Sequence, residues 1–258
     1  MGKIVAFHSY KGGTGKTLLS VNLAAIYAKR GKSVCLFDLD FRAPSLHATF
    51  ATDAPECWLN EYLNGTCDIK RTLIDLSQQH GNGGKFYAGL ANPTTEAIRD
   101  MSAKDRKWEM RALGRLLSLK NSLLNDMHLD YLIFDTSPGL QYSSINAIVS
   151  ADVVLVVTSL DTSDIKGTQR MTHELYDLFE KKTGILLNKV LTEALTTESQ
   201  KRNLYERLHN IHTLPILEVI PCFCDILRAG GTQIFAEEKP DHPFTKTLEK
   251  IATKIENF

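Results

Sequence analysis

Short apolar runs, many of them β-branched, alternate along the chain with longer stretches in which apolar side chains recur every three or four positions. The short runs Ile4 to His8, Ser33 to Asp38, Phe86 to Leu90, Tyr131 to Asp135, Val153 to Thr158, Ile185 to Leu191 and Ile216 to Ile220 read as strands. Most are apolar almost throughout, as expected for strands covered on both faces. The periodic stretches Lys16 to Lys29, Arg106 to Asn125, Ile165 to Lys181, Glu198 to Asn210 and Phe244 to Ile255 read as amphipathic helices. This rhythm predicts an α/β class, with a mainly parallel central sheet between two helical layers. Gly31 fits a helix stop and Pro243 a helix first turn. The tract Gln78 to Lys85 reads as a surface loop too short to link domains, so residues 1–258 are expected to form one domain.

Charge and cysteine usage narrow the setting. Thirty basic and thirty acidic side chains cancel, so no global field favours DNA, RNA or anionic lipid. The longest apolar run, Val153 to Val157, is far below the roughly 20 residues that span a bilayer. Met1 passes straight into Ile4-Val5-Ala6-Phe7 without a signal-like leader. The five cysteines (Cys35, Cys57, Cys67, Cys222, Cys224) are odd in number and scattered, and a chain of this length needs no disulfide for a core. A reducing cytoplasm and no cystine framework are therefore expected.

The candidate chemistry follows the first strand. The common phosphate-loop pattern requires a glycine where Tyr10 stands, but Lys11-Gly12-Gly13-Thr14-Gly15-Lys16-Thr17 still joins a strand to a helix with little side-chain obstruction. Its backbone N–H groups can curl around phosphate oxygens at the helix N-terminus. Lys16 would reach the β- and γ-phosphates and the Thr17 hydroxyl would hold Mg²⁺. Asp38 and Asp40 close the second strand at the carboxyl edge of the sheet, where open α/β folds bind ligands. Asp135 ends another strand before Thr136-Ser137-Pro138-Gly139. In Asn188-Lys189-Val190-Leu191, Leu191 stands where a guanine-specific site needs an acid, so adenine is favoured.

The string His8-Ser9-Tyr10-Lys11-Gly12-Gly13-Thr14-Gly15-Lys16-Thr17 resembles the deviant Walker A motif of the MinD/ParA family of dimerising ATPases, whose signature is the early lysine. The resemblance spans nearly the whole chain and is weakest from Thr49 to Met127. It implies a P-loop NTPase fold, ATP and Mg²⁺ as ligands, and an ATP-dependent homodimer in which Lys11 reaches the partner's phosphates. Carried over, Lys11, Lys16 and Asp40 form the catalytic set, with Asp40 orienting the attacking water. Asp38 supports the loop or the metal shell, and Asp135 holds Mg²⁺ through a water, so the metal set is Thr17, Asp38 and Asp135. Asn188 recognises the base, and Pro221 and Cys222 cover it. Leu18 replaces a frequent second threonine and leaves only its backbone N–H for the α-phosphate, while Ser137 replaces one of two prolines.

The implied function is a Mg-ATP-dependent ATPase acting as a spatial-positioning or partitioning switch. It would be cytoplasmic, with a protein activator, and peripheral to a membrane surface or, through nonspecific DNA, to the nucleoid. Alternatives on the same fold are an ATP-dependent iron–sulfur carrier, a small-molecule ligase, or an ATPase adaptor for a protein cargo. Cys222 and Cys224 are spaced C-x-C rather than C-x-x-C, which favours inert thiols over a cluster. The last helix aligns Phe244, Leu248, Ile251, Ile255 and Phe258 beside Lys246, Lys250 and Lys254, a face that fits docking on the sheet better than a lipid surface. Lys104, Lys107, Arg111 and Arg115 form a basic stripe at helical spacing around Trp108, and a solvated outer face is its ordinary meaning.

Overall fold

The computed structural model describes residues 2–81, 83–176, 181–231 and 233–257. The first apolar run forms β1 (Lys3–His8), and α1 (Lys16–Lys29) and β2 (Ser33–Leu39) follow. Three short helices, α2 (Leu46–Phe50), α3 (Leu59–Asn64) and α4 (Ser77–His80), surround β3 (Leu73–Asp75) and lead to β4 (Lys85–Gly89). Next come α5 (Thr95–Ser102), α6 (Arg106–Leu119), β5 (Tyr131–Thr136), α7 (Tyr142–Ser150), β6 (Val153–Thr158) and α8 (Thr162–Leu175). The chain closes with β7 (Lys182–Val190), α9 (Glu198–Ile211), β8 (Ile216–Pro221), α10 (Cys224–Arg228), α11 (Phe235–Glu238) and α12 (Pro243–Glu256). Every predicted strand and helix is present. Residues 177–180, in the predicted Ile165 to Lys181 helix, lie outside the described residues. The tract from Gln78 is not wholly loop, since α4 and the start of β4 occupy its ends.

Among the described residues eight strands form one sheet in the order β3-β4-β2-β5-β1-β6-β7-β8. All neighbours are parallel except β3 and β4, which pair antiparallel at the edge. The chain leaves β1 towards β2 on one side, yet β6 flanks β1 on the other. The crevice above the carboxyl ends of β1, β5 and β6 is thus a topological switch point.

Alternate side chains enter two separate cores. Val5, Phe7, Leu36 and Ile133 pack under α1, α11 and α12, whereas Ile4, Ala6, Phe37, Phe134 and Val156 pack under α3, α6, α7 and α8. This is the expected three-layer α/β/α sandwich. Helix α1 is buried almost all round because α11 and α12 cover its outer side. Helix α12 is docked as expected, with Phe244, Leu248, Ile251 and Ile255 buried. Each such side chain contributes roughly 1.5–3 kcal/mol. Phe258 lies outside the described residues.

Two expectations fail in the least matched region. Cys57 and Cys67 are joined in a disulfide, with Cα atoms 6.6 Å apart, while Cys35, Cys222 and Cys224 are free. Helix α3 and the left-handed Gly65 that ends it (φ 83°) fold the chain back and bring the two thiols together, a return that sequence spacing does not show. The basic stripe is also broken: Lys104 pairs with Asp100 at 2.7 Å and lies over Trp108, and Arg115 turns in against Gly65. Lys107 and Arg111 stay exposed, joined by Arg106. Among the described residues no helix is long and apolar enough to cross a membrane.

Candidate functional site

Strand β1 delivers residues 9–15 directly above the sheet, and α1 starts at Lys16. Gly15 is left-handed (φ 102°), and a Cβ there would overlap the Asn188 amide nitrogen, so this position demands glycine. No side chain caps α1 and its first turn carries no acid, which leaves its leading N–H groups for an anion. Two side chains from the end of β7 shape the loop. Asn188 Nδ2 donates to the Thr14 carbonyl at 2.8 Å, and Lys189 Nζ donates to the Gly13 carbonyl at 2.7 Å. The loop borders a cavity of about 550 Å³, with Gly12, Lys16 and Thr17 on one side and Asp40, Ser137 and Pro138 on the other.

The charged groups of this cavity are tightly held. Lys16 is buried, and its Nζ donates to Ser9 Oγ at 2.8 Å. Burial pulls its pKa down, and the carboxylates of Asp135, Asp40 and Asp164 oppose that pull. Thr17 Oγ1 donates to Asp135 Oδ2 at 2.5 Å, and Asp135 Oδ1 is buried with no hydrogen-bond partner. Burial pushes the Asp135 pKa up to about 7, while the Thr17 bond and Lys16 oppose the rise. A buried, half-satisfied carboxylate beside a threonine hydroxyl is a donor set that a hard divalent cation would complete. Thr17 and Asp135 therefore fit Mg²⁺.

Asp38 is placed differently. It is fully buried, and its two oxygens accept from the backbone N–H groups of Asp40, Ser45 and Leu46, each at 3.1 Å. It closes the turn after β2 and starts α2, which is the loop-supporting part of its expected role. Burial first, then Asp135, raises its pKa well above the usual range. Asp40 stays at the cavity rim, where its Oδ1 accepts from Ser137 Oγ at 2.9 Å and from the Ala43 N–H at 3.1 Å. Ser137, noted in the sequence only as a missing proline, orients this carboxylate.

Lys11 does not point into its own cavity. Its Nζ is 2.9 Å from Asp161 Oδ1 and also contacts Ser163 Oγ, both at the start of α8. Hydrogen bonds from Ser163 first, then from Lys11, hold the Asp161 carboxyl far below the ordinary carboxylate range. The base-side residues divide in the same way. The Asn188 amide serves the loop, and Pro221 and Cys222 line neither this cavity nor the next. A second cavity of about 370 Å³ opens beyond Thr17 and Leu18, walled by Val21 of α1, Ala48 of α2, and Gly230, Gly231 and Gln233. Its signal in the sequence was only the small residues of a glycine-rich turn.

The septum site-determining protein MinD of Thermotoga maritima is 26% identical over 264 residues, covering 99% of this chain and 88% of that relative. A family model described as an AAA domain matches residues 2–192, more than half of the chain. The chain belongs to this family, as a P-loop ATPase of MinD/ParA type. Other MinD/ParA-type relatives include the antiactivator FleN of Pseudomonas aeruginosa, 25% identical over 99% of this chain and 87% of its own length. The structure of MinD complexed with Mg-ADP from Pyrococcus horikoshii matches with a TM-score of 0.77 at 22% identity, over 99% of this chain and 96% of that one. A putative plasmid partition protein of Borrelia burgdorferi bound to AMPPNP gives 0.75 at 17% identity, over 100% and 99%. At these identities the two structures speak to the fold, which is that of the MinD/ParA P-loop NTPases.

Proposed function

We propose that this chain is a Mg-ATP-dependent ATPase that dimerises on ATP and works as a positioning or partitioning switch. The observation that carries the reading is the buried, unpartnered Asp135 Oδ1 beside Thr17 and the buried Lys16, at the mouth of a glycine loop. Such a pocket of fixed charge suits a Mg-triphosphate and little else of that size. Bound Mg²⁺ would neutralise phosphate charge. Thr17 would hold it directly and Asp135 through a water, while Lys16 and the loop amides take the phosphate oxygens. Asp40, steadied by Ser137, would orient the attacking water, so catalysis is mostly positioning. The second cavity suits the nucleoside, with Leu18, Val21 and Ala48 against the base. Lys11 must leave Asp161 to reach a partner's phosphates, so their ion pair opposes closure of the dimer.

The test is a titration with a fluorescent ATP analogue and Mg²⁺, followed by light scattering of the dimer. Lys16→Ala abolishes uptake in this reading. Asp40→Ala still binds, traps a dimer and turns over slowly; undiminished turnover would remove Asp40 from its role. Absence of saturable uptake by the unmodified chain would end the proposal.

The relatives are named for septum placement, antiactivation and plasmid partition, so the output of the switch is a separate matter. One surface favours an adaptor that lies peripheral to a membrane or the nucleoid. On the outer side of α6, Arg106, Lys107 and Arg111 flank the exposed Met110 and Leu117. Sedimentation with anionic liposomes and with nonspecific DNA, each with and without ATP, separates these outputs from a protein cargo. Hydrolysis without an added small molecule argues against a ligase, and a colourless chain after anaerobic iron and sulfide loading argues against a carrier.

A further inference from the structure

His8 ends β1 with its side chain completely buried and both ring nitrogens engaged. Nε2 lies 2.8 Å from the Gly139 carbonyl oxygen and Nδ1 lies 2.7 Å from the Tyr176 hydroxyl. A carbonyl can only accept, so Nε2 carries the proton, and Nδ1 accepts from the Tyr176 O–H. Burial pulls the ring pKa down to about 4, and Lys16 adds to the pull, so this neutral tautomer persists at neutral pH. The N–H of Gly139 meanwhile donates to the Ser9 carbonyl at 2.8 Å. Both polar groups of Gly139, a left-handed residue (φ 77°), are thus fixed on two successive residues leading into the phosphate loop.

This clamp sits between two parts of the candidate machinery. On one side, Ser137 and Pro138, the two residues before Gly139, wall the cavity, and Ser137 Oγ holds Asp40. On the other, Tyr176 closes α8, whose first turn holds Lys11 through Asp161 and Ser163. Tyr10 packs on Gly167 midway along the same helix, where a Cβ would overlap its ring. Residues 8, 10 and 11 therefore grip α8 at its end, middle and start.

We propose that His8 is a positioning residue: it fixes the Ser137 to Gly139 turn, and through Ser137 the Asp40 carboxylate, and ties that turn to α8. The inference rests on the ATPase reading of the cavity and gives a role to His8, which precedes the glycine- and lysine-bearing loop Lys11 to Thr17. His8→Asn keeps an acceptor near the Nδ1 position but no donor within reach of Gly139, whereas His8→Gln keeps a donor near the Nε2 position. His8→Asn is expected to lower kcat about tenfold, the scale of one lost buried hydrogen bond, with affinity for a nonhydrolysed ATP analogue changed less than about twofold. His8→Gln is expected to return kcat to within about threefold of the unmodified protein. Equal losses in both variants, or losses matching the unfolded fraction seen by circular dichroism, would mean that the ring only fills space. A second readout is independent of turnover: in labelled, nucleotide-free protein the Gly139 and Asp40 amide signals move in His8→Asn and stay in His8→Gln. If His8→Asn does not fold, Tyr176→Phe removes only the partner of Nδ1 and must still shift Gly139; an unmoved signal overturns the inference. An unmodified protein without turnover refutes the ATPase reading alone, because the amide signals still decide the role of His8.

Discussion

Replacing Asp135 with Asn in the nucleotide-free protein isolates what it costs to bury that carboxyl. Below pH 3.8 the folded and unfolded chains both carry its proton, and the group has no effect on stability. Between 3.8 and about 7 the unfolded chain has released the proton while the folded chain retains it, so the folded state loses ground with each step up in pH. At about 1.36 kcal/mol per pH unit, the full penalty is about 4 kcal/mol above pH 7. An asparagine carries no such penalty, and its amide oxygen can still accept from Thr17. Relief of Asp38, whose pKa Asp135 also raises, acts in the same direction. His8 imposes the opposite trend, because its pKa falls from 6.5 to about 4 and stability rises across that window. Since His8 is common to both proteins, it cancels in their difference. Urea unfolding from pH 4 to 7.5 should show the two proteins nearly equal at the acid end. Asp135→Asn should be more stable by about 4 kcal/mol at the other end, on the order of 10 °C in Tm for a chain of this size. Added Mg-ATP should narrow the gap by stabilising the unmodified protein more than Asp135→Asn. Parallel stability curves across the pH range would refute the reasoning.

Four further outcomes are expected. Gly15→Ala should weaken nucleotide binding more than about tenfold in a fluorescence titration, since a left-handed non-glycine costs roughly 1–2 kcal/mol before its overlap with Asn188 is counted. Ser137→Ala should lower turnover while leaving nucleotide affinity unchanged, because it removes the hydroxyl that holds Asp40; steady-state kinetics separates the two. Asp161→Ala should raise the dimer fraction at limiting ATP up to about fivefold by light scattering, the range of an exposed ion pair. Thiol titration of the denatured, unreduced chain should find three free cysteines, and five after reduction.

The elements that position the site were legible because their signals are local. Strand β1 is an apolar run from Ile4 to Phe7, α1 is rich in leucine and alanine, which favour helix, and the loop between them pairs glycines with lysines over a few residues. Helix α7 was not legible: Tyr142-Ser143-Ser144-Ile145-Asn146 is a poor helix former, and packing of Ala147 and Ile148 into the second core stabilises it. Strand β3 has only three residues and forms by pairing with β4. At the site, Lys16, Thr17, Asp40 and Asp135 converge as the motif implied. The hydrogen bonds that decide their neighbours' roles join residues that no local periodicity or motif links. Asp38 bonds to Ser45 and Leu46, His8 to Gly139 and Tyr176, and Lys189 to Gly13. Composition and spacing carry no trace of such partners.

The hold of Asn188 and Lys189 on the Thr14 and Gly13 carbonyls has one further physical result. In a trans peptide the N–H points away from the C=O. Drawing those two oxygens towards β7 therefore turns the amides of Thr14 and Gly15 to the opposite side before any ligand arrives. The mould is cast during folding, so docking incurs little ordering cost. Rapid-mixing traces at chain concentrations too low for the dimer should then show one concentration-dependent phase, with no slow isomerisation behind it.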